Sequence, residues 1–350
     1  MTQITPTQIS PNPNPNKSEI NLSDSSLLQQ WVNDVIFVNE GAVIIQSGGY
    51  FTNNSEFDSG FKSSDALFEI QDSGEFRNLG NLFAYSELVN QEGGILVNTS
   101  NMNLIGGKSQ PTSQFLNSGK FNNFFDLDLT SSEIKNNASG VVNNGVSPDA
   151  TKGVPTKALI TLKDSTFTNL GDVENYGSVT GTNSFINIDD KDNATWTNYA
   201  GSQIGGNLTI NGTMRGATNY APGLSAGGIK VNGSLVLTED SSKTIELGGD
   251  FDGGRDPSNT EHDFIDVAGD LILDGGTLDV KLIDGFELGL NQEFIIAKVD
   301  GELTGTYEGL EQGAIVGRFD SIFGEMDLNL FIDYTAGDGN DIALSTSQIF

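Results

Sequence analysis

Cysteine is absent from this chain, and histidine occurs once, at His262. The lack of cysteine excludes disulfide bridges, thiolate metal sites and cysteine nucleophiles. A Ser-His-Asp relay would have to use His262, which stands in an acidic segment with no G-x-S-x-G motif nearby. We therefore predict no catalytic residue in this chain.

Basic residues are also scarce: 17 Lys and Arg stand against 47 Asp and Glu, which gives a formal charge of -30 and an isoelectric point near 4.1. A surface this negative repels phosphate backbones and anionic lipid headgroups, so we expect no nucleic-acid partner. The charge either keeps a strand-rich protein soluble and blunts its sheet edges, or it selects cations, neutral glycans and basic surfaces as partners.

Long hydrophobic runs are missing as well, because no apolar stretch approaches the roughly 20 residues of a membrane-spanning helix. We expect no direct membrane insertion. Residues 1–16 have no basic region followed by an apolar one, so no secretory signal peptide is expected there. Residues 300–350 carry ten acidic residues and one basic residue, Arg318. This acidic end resembles the uncleaved C-terminal signals of one-step bacterial export, although a solvated end is the alternative.

The chain is instead rich in glycine, with 43 residues, and in Asn, Ser and Thr, whereas Glu, Lys and Arg are sparse. Val, Ile, Leu and Phe occur in short runs between Gly and Asn, which is typical of short strands joined by tight turns. The fold class is therefore predicted to be all-β, with strands of about three to six residues and almost no helix.

A short phrase recurs along the chain: an apolar residue, a spacer, an asparagine and then a glycine, as in residues 76–80, 115–119 and 167–171. Such self-similarity indicates stacked units. We predict a single-stranded, right-handed parallel β-helix, a solenoid in which each coil takes about 20 residues. A flexible Pro/Asn-rich N-terminal arm precedes it, and the segment up to residue 34 either caps the first coil or forms an amphipathic linker.

The repeated asparagines have two interpretations. They either occupy coil corners and stack into an amide ladder, which we favour, or form an exposed row of amides that binds sugar hydroxyls. The aromatic residues are interpreted first as interior stacks and second as a glycan platform. These aromatic residues are Phe51, Phe76, Phe115, Phe121, Phe167 and Trp196.

The sequence changes character near Tyr220, where a Pro-Gly-x-Ser-x-Gly turn at residues 222–227 precedes glycine-rich strand patterns. Residues 219–345 resemble the C-terminal part of autotransporter-type passenger domains, and the upstream repeats resemble those of bacterial and cyanobacterial surface proteins. The resemblance implies β-helical coils with a C-terminal capping segment. We divide the chain into residues 1–34 (arm and cap), 35–218 (Asn/Gly-rich coils) and 219–350 (passenger-like coils and cap).

Two acidic segments are candidate calcium sites, because calcium takes six to eight oxygen ligands and tolerates irregular loops. The first contains Asp250, Asp252 and Asp256, at a spacing that differs from an EF-hand. The second contains Asp338 and Asp341, in a segment that resembles one unit of the glycine-rich calcium-binding nonapeptide. In both cases a solvated turn between strands is the alternative. No other cofactor is predicted.

These observations favour a non-enzymatic, secreted or cell-surface β-helical protein that serves as a stalk, an adhesin or a component of the extracellular matrix. Glycans or other surface proteins are the expected partners, and self-association is open. The alternative is a β-helical lyase or glycoside hydrolase that acts on extracellular polysaccharide. Such a hydrolase would need two carboxylates held about 5–9.5 Å apart, and a sequence with 47 acidic residues does not locate such a pair.

Overall fold

A computed structural model provides the structure of the chain and describes residues 19–22, 30–33, 37–39, 42–45, 49–59, 67–106, 113–145, 158–189, 194–223 and 226–347. Most of the predicted N-terminal arm lies outside these residues. Within the segment assigned to the arm and cap, β1 (Glu19–Leu22) pairs with β4 (Ala42–Ile45), and β2 (Gln30–Asn33) pairs with β5 (Tyr50–Asn53). These parts of the segment are therefore strands of the coils.

The described residues form strands and turns, with no helix among them. The prediction of an all-β chain is confirmed. The remaining strands of the first half are β3 (Phe37–Asn39), β6 (Glu56–Ser59), β7 (Leu67–Ile70), β8 (Glu75–Asn78), β9 (Asn81–Ala84), β10 (Glu87–Asn90), β11 (Ile95–Asn98), β12 (Met102–Ile105), β13 (Gln114–Asn117), β14 (Lys120–Asn123), β15 (Asp126–Thr130), β16 (Glu133–Asn136), β17 (Val141–Asn144), β18 (Leu159–Lys163), β19 (Thr166–Asn169) and β20 (Asp172–Asn175).

The second half contains longer strands and an antiparallel end. Its strands are β21 (Ser178–Ile188), β22 (Thr195–Asn211), β23 (Met214–Pro222), β24 (Gly228–Val231), β25 (Leu235–Leu237), β26 (Ser242–Leu247), β27 (Phe264–Val267), β28 (Leu271–Asp274), β29 (Thr277–Leu282), β30 (Glu293–Val299), β31 (Leu303–Thr306), β32 (Ile315–Ser321), β33 (Gly324–Ala336) and β34 (Asp341–Ser345).

The chain divides into two compact units. Unit 1 comprises Met1–Glu174 with Lys191–Thr195, and unit 2 comprises Asn175–Asp190 with Trp196–Phe350. From β1 to β16 each strand pairs in parallel, without a register shift, with the strand three places later, as β7 does with β10 and β10 with β13. Three strands therefore complete one coil, and successive coils stack directly. This arrangement is the predicted parallel β-helix.

The interior of unit 1 holds alternate side chains of each strand, in the period of two that a strand imposes. Phenylalanine rings stack there: the centroid of Phe76 lies 5.4 Å from that of Phe51 and 4.8 Å from that of Phe68, and Phe115 and Phe121 are 5.0 Å apart. Phe167 in unit 1 and Trp196 in unit 2 are also buried. The first interpretation of these aromatic residues, as interior side chains, is confirmed.

Buried asparagines end the strands of two faces of unit 1 and join each coil to the next. Each one before the last of its ladder donates from Nδ2 to Oδ1 of the asparagine one coil later, at 2.7–2.9 Å, and every ladder asparagine is 0% exposed. The interpretation as a structural ladder is confirmed. The first ladder is Asn53, Asn78, Asn98, Asn123 and Asn144, and the second is Asn90, Asn117, Asn136 and Asn169.

The glycine of the repeated phrase makes room for this ladder. A Cβ on Gly140 would lie 2.2 Å from Oδ1 of Asn136 and 2.4 Å from the carbonyl oxygen of Asn117. A Cβ on Gly119 would lie 2.3 Å from the carbonyl oxygen of Gly94. Real Cβ atoms do not approach other atoms so closely. Only glycine fits at these corners, because the asparagine amide and the backbone of the previous coil pack directly against it.

Unit 2 begins with strands that continue around the coil corners. β21, β22 and β23 contain 11, 17 and 9 residues, so the prediction of uniformly short strands is wrong here. β22 can bend without leaving the sheet because Gly201 and Gly206 have positive φ values of 86° and 81°. Further along, β24, β27 and β30 stack in parallel, as do β25, β28 and β31.

The C-terminal end of unit 2 is antiparallel, whereas the coils before it are parallel. β34 pairs antiparallel with β30 and β33, and β33 pairs antiparallel with β32. The physical reason is the tight turn at residues 337–340, where Gly337 and Gly339 have positive φ values and reverse the chain. An antiparallel return therefore follows the last parallel coil, and the capping role that the family resemblance implies stays a prediction.

Replacing one rung of a ladder should destabilise the protein. In Asn98→Ala, Asn78 and Asn123 each lose a ladder partner, and the carbonyl oxygen of Asp126 loses a donor. We expect a cost of about 1–3 kcal/mol for each buried group left unpaired, measured as a lower midpoint of urea unfolding. The control is Asn101→Ala, whose exposed amide bonds only to Asn81, with an expected change within about 0.5 kcal/mol. Equal effects of the two substitutions would refute the ladder account.

Candidate functional site

The loop at residues 248–263, between β26 and β27, carries the first set of predicted calcium ligands. Asp250 and Asp256 are exposed, and Asp252 is half-buried. The Oδ1 atom of Asp252 accepts the N–H of Gly254 at 2.9 Å, and that of Asp256 accepts the N–H and hydroxyl of Ser258 at 3.0 and 2.8 Å. The bonds from Ser258 lower the pKa of Asp256. These carboxylates close local turns.

The second set of predicted calcium ligands, Asp338 and Asp341, lies where β33 turns into β34. Asp338 is exposed, whereas Asp341 is buried and its Oδ1 accepts the N–H of Val299 at 2.8 Å. Burial raises the pKa of Asp341. Among the residues that the structure describes, no three His, Cys, Asp or Glu side chains are grouped so that they could hold a metal ion. Calcium binding stays a prediction.

Arg255 anchors the 248–263 loop to the body of unit 2. Its Nε atom donates to Oδ1 of Asp266 at 2.9 Å, its Nη1 donates to the carbonyl oxygen of Ile295 at 2.6 Å, and its guanidinium lies 4.1 Å from the ring centroid of Phe264. The ion pair of Arg255 with Asp266 is partly shielded from water and is supported by two further contacts. It therefore stabilises the fold more than a surface ion pair does. In the sequence Arg255 stands among acidic residues, and nothing there indicates these partners.

His262 is a second anchor of the same loop and is only 1% exposed. Its Nδ1 lies 3.2 Å from the carbonyl oxygen of Gly249, and its ring meets that of Phe294 edge-on at 5.7 Å. Burial is the main cause that lowers the pKa of His262, and the charge of Arg255 lowers it further. The carbonyls of Gly249 and Ile295 and the charge of Asp252 oppose this shift. The imidazole is thus held neutral within the packed interior.

Two further ionisable side chains are buried here, Lys243 on β26 and Asp263 at the end of the loop, and the sequence analysis assigned a role to neither. Lys243 is 1% exposed, and its Nζ donates to the carbonyl oxygen of Ile296 at 2.8 Å; burial lowers its pKa to about 7. Asp263 accepts the N–H groups of Gly227 and Glu246 at 2.9 and 3.0 Å, and burial raises its pKa to about 8. Lys243 thus joins β26 to β30, and Asp263 joins the end of the loop to Gly227 and to Glu246 on β26.

An open groove of about 710 Å³ lies on unit 2, beside β28 and β31. One wall is ordered by Tyr334, whose hydroxyl accepts the N–H of Tyr307 at 3.1 Å and donates to the carbonyl oxygen of Leu310 at 2.7 Å. Tyr307 itself is buried. The remaining lining is mostly glycine and acid. The acidic residues are Glu239, Asp240, Asp274, Glu308 and Glu311, and all five are exposed.

Comparison with protein-family models finds no match to this chain, and comparison with curated proteins finds none. The structure establishes the β-helical fold that the resemblance to autotransporter-type passengers implied. Among the described residues, no helix is long and apolar enough to cross a membrane.

The burial of His262 should make stability depend on pH. Because the pKa of His262 in the folded chain lies below the ordinary 6.5, the unfolded chain binds a proton that the folded chain excludes. The stability due to neutral His262 is therefore complete above pH 6.5 and decreases as the pH falls towards the folded pKa. We expect His262→Gln, which does not titrate, to lose this part of the pH dependence in urea unfolding. Parallel profiles for the two proteins between pH 5 and 7 would contradict the assignment.

Proposed function

We propose that this chain is a non-enzymatic structural or adhesive protein, secreted or held at the cell surface, of the autotransporter passenger type found in bacteria. The observation that supports it most is the filled interior of unit 1. Apolar side chains and two amide ladders occupy successive coils, so the lateral surface is the part offered to partners. A stalk or adhesin uses that surface, with rigidity supplied by the ladders.

The outer surface of unit 2 carries the polar and aromatic groups that neutral glycans use. Asn232 donates to Asn211 at 2.7 Å, and Asn211 donates to Asn187 at 2.6 Å, which forms a row of amides on the outside of successive coils. Tyr176 and Tyr199 stack with centroids 4.1 Å apart and planes 8° apart. Amides bond sugar hydroxyls and aromatic groups pack against sugar faces, so these rows support glycan binding in particular.

The runner-up is a polysaccharide-active enzyme, a lyase or a glycoside hydrolase. The groove beside β31 favours it, because five exposed carboxylates line one open surface. Glycoside hydrolysis requires one carboxylic acid and one carboxylate on either side of the scissile bond. The lining offers Glu308 and Glu311 on one side and Asp274 on another segment, and these are the residues that such an enzyme would employ.

A glycan array combined with a turnover assay tests the proposal. We expect binding to neutral glycans without product formation, and weaker binding by Asn211→Ala and Tyr199→Ala. The exposed Asn101 of unit 1 supplies the control, since Asn101→Ala should bind as the wild type does. Sustained turnover that disappears in Glu308→Gln would replace the proposal by the enzyme.

Chelation tests the role of calcium. We expect EDTA at moderate salt to leave the strand signal in circular dichroism intact, because the coils bury apolar side chains regardless of ions. The competing idea is that self-repulsion at a charge of -30 disorders the chain until cations bind it. Loss of the signal in EDTA, with recovery in calcium and not in magnesium, would establish the competing idea.

A further inference from the structure

Large exposed apolar side chains collect at one place on unit 2. Leu290 and Met326 are each 60% exposed, Ile322 is 60% exposed and Phe323 is 45% exposed. We call these four residues the hairpin patch, because Ile322 and Phe323 form the turn between β32 and β33, Met326 lies on β33 just after it, and a bridge from Leu288 to Ser321 brings the segment of Leu290 beside that turn. Single exposed apolar residues are normal on protein surfaces, but a cluster of them marks an interaction site.

Backbone hydrogen bonds join the segment just before Leu290 to the turn between β32 and β33. The N–H of Leu288 donates to the carbonyl oxygen of Asp320 at 3.0 Å, and the N–H of Ile322 donates back to the carbonyl oxygen of Leu288 at 3.1 Å. The hydroxyl of Ser321 bonds the carbonyl oxygen of Met326 and accepts the N–H of Phe323 at 3.2 Å. The patch is therefore a preformed surface, which reduces the entropy lost on binding.

Exposed acids border the hairpin patch on both turns. Glu287 precedes the first turn, and Asp320 and Asp327 flank the second, with all three side chains exposed. Arg318 on β32 is the nearest basic residue along the hairpin and the sole one after Lys298. An apolar centre with a negative rim is complementary to apolar side chains flanked by lysine or arginine.

We propose that the hairpin patch binds a basic, apolar peptide segment of another protein. The apolar side chains of that segment cover Leu290, Ile322, Phe323 and Met326, and its lysine or arginine side chains reach the acidic rim. A second copy of this chain is disfavoured as the occupant, because it would bring two chains of charge -30 together. Anionic lipid surfaces are disfavoured for the same reason. The inference goes beyond the proposed function and does not depend on glycan binding.

The test measures binding of a labelled Leu/Lys peptide of about 16 residues, with a Leu/Glu peptide of equal length as the charge-reversed probe, in about 0.15 M salt. The patch variant combines Ile322→Ser, Phe323→Ser and Met326→Ser. The matched control combines Leu79→Ser, Phe125→Ser and Ile272→Ser, which replaces exposed apolar residues that are scattered over the surface. Circular dichroism establishes that each variant is folded.

We expect the wild type and the control to bind the Leu/Lys peptide alike, and the patch variant to bind it at least about tenfold more weakly. Asp320→Asn with Asp327→Asn should also weaken binding and reduce its salt dependence. Equal binding by the wild type and the patch variant would overturn the proposal in favour of unspecific attraction to an acidic protein. A dimer in sedimentation, or adsorption to lipid vesicles, that only the patch variant abolishes would overturn it in favour of those occupants.

Discussion

The hydrogen bond from one buried asparagine to the next is the interaction on which unit 1 depends. A primary amide removed from water costs several kcal/mol unless its donors and acceptor are paired. In the ladders each Nδ2 bonds both the next Oδ1 and a backbone carbonyl, as Asn78 does with Asn98 and Asn101. The amides are thus paired only while successive coils keep their register. Coil length is free to vary, from 19 to 33 residues between rungs of the second ladder, because the rung fixes the register whatever the length of the connection.

The cost of leaving a buried polar group unpaired also explains how the buried ionisable residues of unit 2 are bonded. Lys243, Arg255 and Asp263 lie where water is excluded, and each bonds a backbone group of a neighbouring element. Removing one of these side chains would leave a buried backbone group without its partner, at a cost of about 1–3 kcal/mol. The 248–263 loop is therefore held in place by buried hydrogen bonds to the backbone. In our proposals, partners bind the outer faces, at the rows of amides, the acidic groove or the hairpin patch.

Local sequence patterns predicted most of unit 1, because the repeated phrase marks a coil corner that forms within a few residues. An asparagine ends each strand, and a glycine such as Gly140 must follow where the next corner packs closely. The antiparallel pairing at the C-terminal end of unit 2 was not predicted, because it depends on where β34 finds its partner strands, which no short stretch of sequence records. Lys243 was missed although β26 buries Lys243, Ile245 and Leu247 on one face. A lysine at an inward-facing position of an alternating strand indicates a buried lysine. Its partner, the carbonyl of Ile296 on β30, lies far away in sequence and so is not indicated.

The central claim is that the asparagine amides are locked inside the coils, and hydrogen exchange of their side-chain NH₂ groups tests it most directly. In nitrogen-labelled protein the Nδ2 protons of Asn78, Asn98 and Asn117 should exchange as slowly as the core backbone amides. Those of the exposed Asn101 should exchange near the rate of a free amide. Fast exchange at all four asparagines, in a protein that retains its strand spectrum, would contradict the account.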